Sequence, residues 1–287
     1  MQSIKIKAPA KLNLNLNVLP IVREGFHQIK FLNTEIKLAD EITIEKTKSS
    51  ILVKCKNADC HDKKCPQKCL AYQAAELLKK EFPKNISGVK VFIKKNIPSR
   101  AGLGGGSSDA AAVLKGMNQL YDLKLSQRGL IKRAVKISTD ACYSVVGGLC
   151  EVSGIGEKIK PLAVKFPKYH LLIVVPKIKK PSTKWCYENL NAQKIGKNLQ
   201  KFKKFISSLS VSRYTFHVIR YLHNDFENLI FSEFSEVQKM KEKLLDLGAE
   251  KTILAGSGLS LVGFFKNKTK ALNAKRIFRN CILTKIL

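Results

Sequence analysis

Acidic residues are scarce in this chain, with 22 Asp and Glu against 52 Lys and Arg in 287 residues, a formal charge of +30. A surplus of that size raises nucleic acid as a partner, because dense Lys and Arg release counterions from a phosphate backbone. Three further absences argue against it. There is no RNP, helix-turn-helix or zinc-finger spacing, and no single basic block or helix gathers the charge. The excess is mostly Lys, which lacks the bidentate fork that Arg uses to read base edges. The charge is therefore read as a solvated lysine-rich surface that draws anionic substrates, and nucleic acid is not an expected partner.

Long hydrophobic runs are missing too. The most apolar stretch, Tyr169 to Pro176, is far shorter than the roughly 20 residues a membrane helix needs. The opening MQSIKIKAPAKLNL alternates apolar and polar residues without the apolar core of a secretory signal. A soluble, cytoplasmic protein with no membrane partner is expected. Close C-x2-C pairs are also absent. Cys55, Cys60, Cys65 and Cys69 follow C-x4-C-x4-C-x3-C, with His61 among them. In a cytosolic chain that pattern is not a disulfide framework, which leaves a metal site or free thiols in a loop. The spacing lacks the tight pairs that close most structural zinc sites.

What is present alternates between strand and helix signals. Ile4, Ile6, Leu12, Leu14 and Leu16 alternate as in a strand, as do Asn33 to Glu45 and Val89 to Lys95. Between them, Leu70, Ala74, Leu77 and Leu78 recur at helical spacing, bounded by Pro66 and Pro83. Further helices are expected near 108–121 and 127–137, and a strand at Leu171 to Val175. Beyond it the chain turns looser and lysine-rich through Lys204. Val237, Met240, Leu244 and Leu247 mark another helix, followed by strands at Lys251 to Leu254 and Ser260 to Phe265. At 45% hydrophobic content the chain can bury a sizeable core. Mixed elements without strict alternation predict an α+β protein in two domains, 1–163 and 164–287.

One segment stands out: Ile97-Pro98-Ser99-Arg100-Ala101-Gly102-Leu103-Gly104-Gly105-Gly106-Ser107-Ser108-Asp109 followed by three alanines. Four glycines in five residues carry an entropic cost that an ordinary loop has no reason to bear, and they let backbone approach a ligand closely. Ser107 or Ser108 is a suitable N-cap for the helix that Asp109 and the alanines begin. The free amides and positive dipole end of that helix suit a phosphate. The loop is not a Walker A motif, since no Lys-Ser/Thr follows the glycines, and it lacks G-x-G-x-x-G spacing. A second small-residue turn, Ala255-Gly256-Ser257-Gly258, lies between two expected strands.

Together with Ala8-Pro9-Ala10-Lys11-Leu12-Asn13-Leu14 and Glu24-Gly25-Phe26-His27, these loops resemble the three signature regions of the GHMP kinases. The wording is most similar to the branch acting on 4-diphosphocytidyl-2-C-methyl-D-erythritol. The likeness extends to Gly147-Gly148, Gly154-Ile155-Gly156-Glu157 and Asn224-Asp225-Phe226-Glu227. It implies an N-terminal domain like ribosomal protein S5 domain 2 and a ferredoxin-like C-terminal half. It implies phosphorylation of the substrate's 2-hydroxyl by ATP with Mg2+, in a monomer or homodimer. ATP would be held by Pro98, Ala101, Gly102, Leu103, Gly104, Gly105, Gly106, Ser107 and Ser108, with Gly256, Ser257 and Gly258 as the third motif. Lys11 and Asp140 carry over as the catalytic pair. Asn13, Phe26, His27, Thr183 and Tyr187 carry over as substrate contacts, with His27 and Tyr187 against the cytosine. The segment Ser138-Thr139-Asp140-Ala141-Cys142-Tyr143 lacks the glycine and proline that flank the family's aspartate. Cys69 falls about where the family has an adenine-framing asparagine. Two other expectations stand beside this one: a relative acting on mevalonate, phosphomevalonate or homoserine, and a basic nucleic-acid-binding protein of S5-like fold without catalysis.

Overall fold

In a computed structural model of the chain, residues 2–23, 25–56, 66–210 and 218–287 are described. Two long strands come first, β1 (Ser3–Arg23) and β2 (Phe26–Thr47), paired as an antiparallel hairpin. There follow β3 (Ile51–Lys56), α1 (Leu70–Glu81), β4 (Gly88–Lys94), α2 (Gly105–Leu120), α3 (Gln127–Ala134), α4 (Thr139–Val146), β5 (Cys150–Gly154) and β6 (Lys158–Pro161). The remainder runs β7 (His170–Val174), α5 (Thr183–Glu188), α6 (Leu199–Ser210), β8 (His223–Asn224), α7 (Glu227–Glu233), α8 (Ser235–Asp246), β9 (Lys251–Leu254), β10 (Leu261–Phe265), α9 (Lys268–Ile277) and β11 (Cys281–Lys285).

Among the described residues, seven strands form one sheet, in the order β3-β4-β2-β1-β8, with β5 on β2 and β6 on β5. The other sheet is antiparallel, β11-β7-β10-β9. Numbered by themselves these four strands stand in the order 4-1-3-2, with helices between the first two and the last two. That is the βαββαβ, ferredoxin-like arrangement, so the chain is α+β as its mixed signals predict.

The alternating residues of β1 explain how the halves meet. Leu12, Leu14 and Leu16 are almost wholly buried, each worth about 1.5–3 kcal/mol against exposure. Leu12 and Leu14 pack with Phe166, Leu171, Phe205 and Phe264. On the other side of the first sheet, Ile42, Ile44, Val91 and Ile93 meet Leu78 of α1 and Ala110, Val113, Leu114 and Met117 of α2. The small side chains of Ala110, Ala111 and Ala112 let α2 settle deeply, and all three are buried.

Four departures from the sequence reading have local causes. α2 begins at Gly105, a turn earlier than expected, because its N-cap is Gly104 in the left-handed region at φ 68°. Ser107 and Ser108 instead lie inside the helix, buried. Asp140, beyond the helix expected over 127–137, sits in the first turn of α4. The lysine-rich stretch after β7 holds α5 and the start of α6, whose apolar Trp185, Cys186, Phe202 and Phe205 pack inward while the lysines stay outside. Strands β3, β5, β6 and β11 are short and take their stability from neighbours, which leaves a weak local signal. Among the described residues no helix is long and apolar enough to cross a membrane.

Candidate active site

The glycine loop is laced to the back of β1. The Lys11 amide donates to the Leu103 carbonyl at 3.0 Å, and the Ser108 hydroxyl donates to the Pro9 carbonyl at 2.7 Å. Ala101 and Leu103 are core anchors, Pro98 is half-buried, and Gly102 and Gly104 face the cavity. Gly105 and Gly106 open α2, and the Ser107 hydroxyl pairs with that of Ser138 at 2.9 Å. By helix geometry the amides of Gly104 to Ser107 have no carbonyl one turn back. They form a row of donors at the positive end of the helix dipole.

The Ala255–Gly258 turn presses directly on this loop. A Cβ on Gly102, whose φ is +78°, would sit 1.8 Å from the Ala255 carbonyl oxygen. A Cβ on Gly256 would sit 3.0 Å from the Gly102 oxygen and 3.6 Å from Lys11 Nζ. The two small-residue turns thus touch backbone to backbone, with the Lys11 ammonium beside them. Gly258 packs against Ala101 and Gly102, and the Ser257 hydroxyl reaches Thr183 Oγ1 at 3.4 Å.

Lys11 is held from behind. Its Nζ donates to Asn13 Oδ1 at 2.9 Å, and the Asn13 amide donates to Asn33 Oδ1 at 2.6 Å. Asn13 is wholly buried with both amide atoms engaged and does not line the cavity, so its geometric part is to steady Lys11. In front, Lys11 Nζ stands 3.4 Å from Asp140 Oδ2; the lysine side chain is 6% exposed and the aspartate 40%. Ser138 occupies the place of the family's glycine at φ −164°, extended backbone open to any residue, so the substitution leaves the start of α4 intact.

Lys11, Asp140, Gly102, Gly104, Gly256 and Ser257 share one end of a cavity of about 810 Å³. The other end is aromatic, and Thr183 also lines the cavity. His27 and Tyr187 stack with centroids 6.0 Å apart and planes 18° off parallel, and Phe226 meets Tyr187 edge-on at 5.0 Å. His27 Nδ1 lies 3.1 Å from the Leu19 carbonyl. A carbonyl only accepts, so in the neutral ring Nδ1 carries the proton and Nε2 is left as an acceptor. Phe26 is 62% exposed at the rim. Burial, then the charge of Asp140, holds the Tyr187 phenol well above its usual value, so it remains a neutral O–H.

Dense amide donors and a buried lysine facing a carboxylate match a phosphoryl-transfer centre. Family models agree with that geometry, the GHMP kinases N terminal domain matching residues 69–153 and the GHMP kinases C terminal model residues 195–282. A 4-diphosphocytidyl-2-C-methyl-D-erythritol kinase of Acetivibrio thermocellus is 33% identical, with the whole of each chain covered.

The chain belongs to the GHMP kinase family.

A protein of the same name from Clostridium botulinum is 37% identical over 92% of each chain. Among solved structures, 4-(cytidine 5'-diphospho)-2C-methyl-D-erythritol kinase superposes with a TM-score of 0.80 at 26% identity, covering 99% of both chains. A homoserine kinase from Cytophaga hutchinsonii, at 20% identity and a TM-score of 0.70, shares the fold. Like the rest of the family, this GHMP kinase is an ATP-dependent phosphotransferase with a small-molecule acceptor.

Two features of this GHMP kinase have weak signals in its sequence. A second crevice of about 570 Å³ opens beside the first and shares Gly102, Thr183 and Ser257 with it. Arg100, Lys177, Lys179 and Lys180 line it without a single carboxylate. Arg100 holds a left-handed φ of 59°, and Lys180 is fixed by bonds to the Ser182 carbonyl and Cys186 Sγ. Four basic residues in a +30 chain do not announce a crevice. The second feature is a buried cluster of Asp40, Lys95 and Asp109 behind the glycine loop, drawn from positions 14 to 69 residues apart. Of the four clustered cysteines, Cys69 caps α1 by accepting from the Tyr72 amide at 3.4 Å, and Cys55 lies on β3. Cys60 and Cys65 lie outside the described residues. Among the described residues, no three His, Cys, Asp or Glu group to hold a metal.

Proposed function

We propose that this GHMP kinase transfers the γ-phosphoryl group of ATP to the 2-hydroxyl of 4-diphosphocytidyl-2-C-methyl-D-erythritol, in the non-mevalonate route to isoprenoid precursors. The observation that carries this reading is one continuous cavity with a phosphate-binding loop and a Lys11–Asp140 pair at one end and stacked rings at the other. A nucleoside diphosphate ester is an acceptor of that shape and polarity. Mevalonate and homoserine offer no ring to the aromatic end.

In this mechanism the amides of residues 102–107 cradle the polyphosphate, with Gly256, Ser257 and Gly258 closing over it. Mg2+ carried on the ATP phosphates would neutralise part of their charge within the row of loop amides that holds the polyphosphate. The cytosine lies against Tyr187 and Phe26, and His27 Nε2 accepts from its exocyclic amino group. Thr183, at the junction of the two ends, faces the diphosphate. Asp140 accepts the proton of the 2-hydroxyl as its oxygen bonds to the γ-phosphorus. The bond from that phosphorus to the β-bridging oxygen breaks, and ADP leaves with the electron pair. A positioned base of this kind is worth about 10²- to 10⁴-fold in rate. Lys11, clamped by Asn13, places fixed positive charge where negative charge builds on the transferring group. The working enzyme is taken to be cytoplasmic, with lobes dividing near residues 163 and 164.

An ADP-release assay over four acceptors tests the proposal: the cytidyl substrate, mevalonate, phosphomevalonate and homoserine. Turnover is expected with the first alone. Turnover with mevalonate or homoserine and none with the cytidyl compound would overturn the substrate assignment while leaving the kinase.

A further inference from the structure

The glycine loop and the first turns of α2 rest on three buried charges. Asp40, on β2, is wholly buried, and its Oδ1 accepts from the amides of Asn96 at 2.6 Å and Ile97 at 2.8 Å. Its Oδ2 bonds to the Lys95 ammonium, which also donates to Asp109 Oδ2 at 2.7 Å. A Cβ on Gly105 would stand 3.4 Å from that ammonium, so the lysine lies directly under the first residue of α2. Asp109 sits one turn further along the same helix and is 4% exposed. Its second oxygen, Oδ1, is buried and has no hydrogen-bond partner among the described residues.

Two carboxylates and one ammonium sum to one negative charge if all ionise. Among the described residues Lys95 is the cation that acts on Asp109, and the orphaned Oδ1 is the atom where a proton would remove the charge. We propose that Asp109 is a positioning residue for the nucleotide: through Lys95 it braces the start of α2 against Asp40, and its own charge state sets how strongly the loop draws polyphosphate. The inference rests on the reading of this loop as the ATP site.

The direction follows from the surroundings. Burial is the largest influence on Asp109 and raises it; Lys95 opposes this and Asp40 adds to it, leaving the carboxyl pushed up to about 7. Among the described residues, Lys95 after β4 and Asp40 on β2 are the charged groups that act on it. Below that pH Asp109 is neutral and the cluster sums to zero. Above it the cluster carries a net negative charge roughly two turns or less from the phosphate amides, a separation of about 5–10 Å. At such distances a buried charge changes anion affinity on the order of tenfold.

The test compares the wild-type protein with Asp109→Asn, a neutral isostere that still accepts from Lys95. Mg-ATP KM and Mg-ADP Kd are measured from pH 6 to 8.5, a range in which both ligands keep their charge as magnesium complexes. Wild-type affinity is expected to weaken about tenfold across the range, with the acceptor KM unchanged. Asp109→Asn should keep the pH 6 affinity throughout. A flat wild-type profile, or a variant that follows the wild-type slope, overturns the inference. Should the variant fail to fold, titration calorimetry of the wild type with Mg-ADP at pH 7.5 in two buffers of different ionisation heat decides. Net proton uptake supports the inference, and its absence overturns it. Tight Mg-ADP binding without pH dependence defeats this inference alone, whereas no Mg-nucleotide binding at all defeats the ATP site as well.

Discussion

Replacing Gly102 by alanine separates the cost of backbone strain from the cost of parting two loops. At φ +78° an L side chain is strained by about 1–2 kcal/mol. The new Cβ would also lie 1.8 Å from the Ala255 carbonyl oxygen and 2.7 Å from its carbon, well inside the 3.0 Å that real Cβ contacts respect. Both partners are backbone, so no rotamer change relieves the overlap. The Ala255–Gly258 turn must move away from the glycine loop by roughly 1 Å or more, and displacement on that scale at a reacting centre costs about 10²-fold. In transition-state terms that is about 2.7 kcal/mol. Gly148 supplies the control: its φ is +70°, yet nothing lies within 4 Å of its Cβ position. Gly148→Ala should therefore lose the same 1–2 kcal/mol of stability, a fall in Tm of about 2–8 °C, and keep kcat/KM within about twofold. Gly102→Ala should lose at least that much stability and at least ~100-fold in kcat/KM. Thermal melts with the coupled ADP-release assay read both quantities. If Gly102→Ala retained kcat/KM within about threefold, or if the two variants lost activity alike, the contact between the turns would have no part in catalysis.

Asp140→Asn should lower kcat by about 10²- to 10⁴-fold while Mg-ATP affinity, measured by calorimetry, stays within about threefold; near-normal turnover would remove Asp140 from the base role. His27→Ala should raise KM for the cytidyl acceptor about tenfold and leave KM for ATP alone, since it removes one hydrogen bond at the aromatic end; equal effects on both would contradict the division of the cavity. The double variant Lys177→Gln, Lys179→Gln should lower kcat/KM about three- to tenfold at low ionic strength. That deficit should vanish near 0.5 M salt, where screening shortens the reach of surface charge. A deficit independent of salt would mean that the crevice acts by contact and not by steering.

Short segments of this chain carry their own structure. The glycine run before three alanines specifies a loop and a helix start from backbone sterics and propensity alone, and the alternation of Ile4 to Leu16 specifies a strand with one apolar side. The periodicity of Leu70 to Leu78, bounded by Pro66 and Pro83, places a helix between the two prolines, and α1 spans Leu70–Glu81. Such signals depend on a few neighbouring residues, so they survive in the linear text. Side-chain capping does not. Ser107 and Ser108 are good N-caps in isolation, but tertiary packing gives their hydroxyls to Ser138 and Pro9, and the cap passes to Gly104.

The chemistry belongs to the folded state still more completely. Lys11 and Asp140 meet from positions 129 residues apart, Gly102 touches Ala255 from a separate sheet, and Asn13 turns from the cavity to grip Lys11. In the sequence Lys11 is one of 52 basic residues, and resemblance to a family, not spacing, singles it out. The charge balance of Asp40, Lys95 and Asp109 likewise exists only once burial strips water from all three. Local geometry is set by each residue's own conformational preferences. The strength and direction of an electrostatic contact depend on distance and on the surrounding medium, and both are decided only when the chain closes on itself.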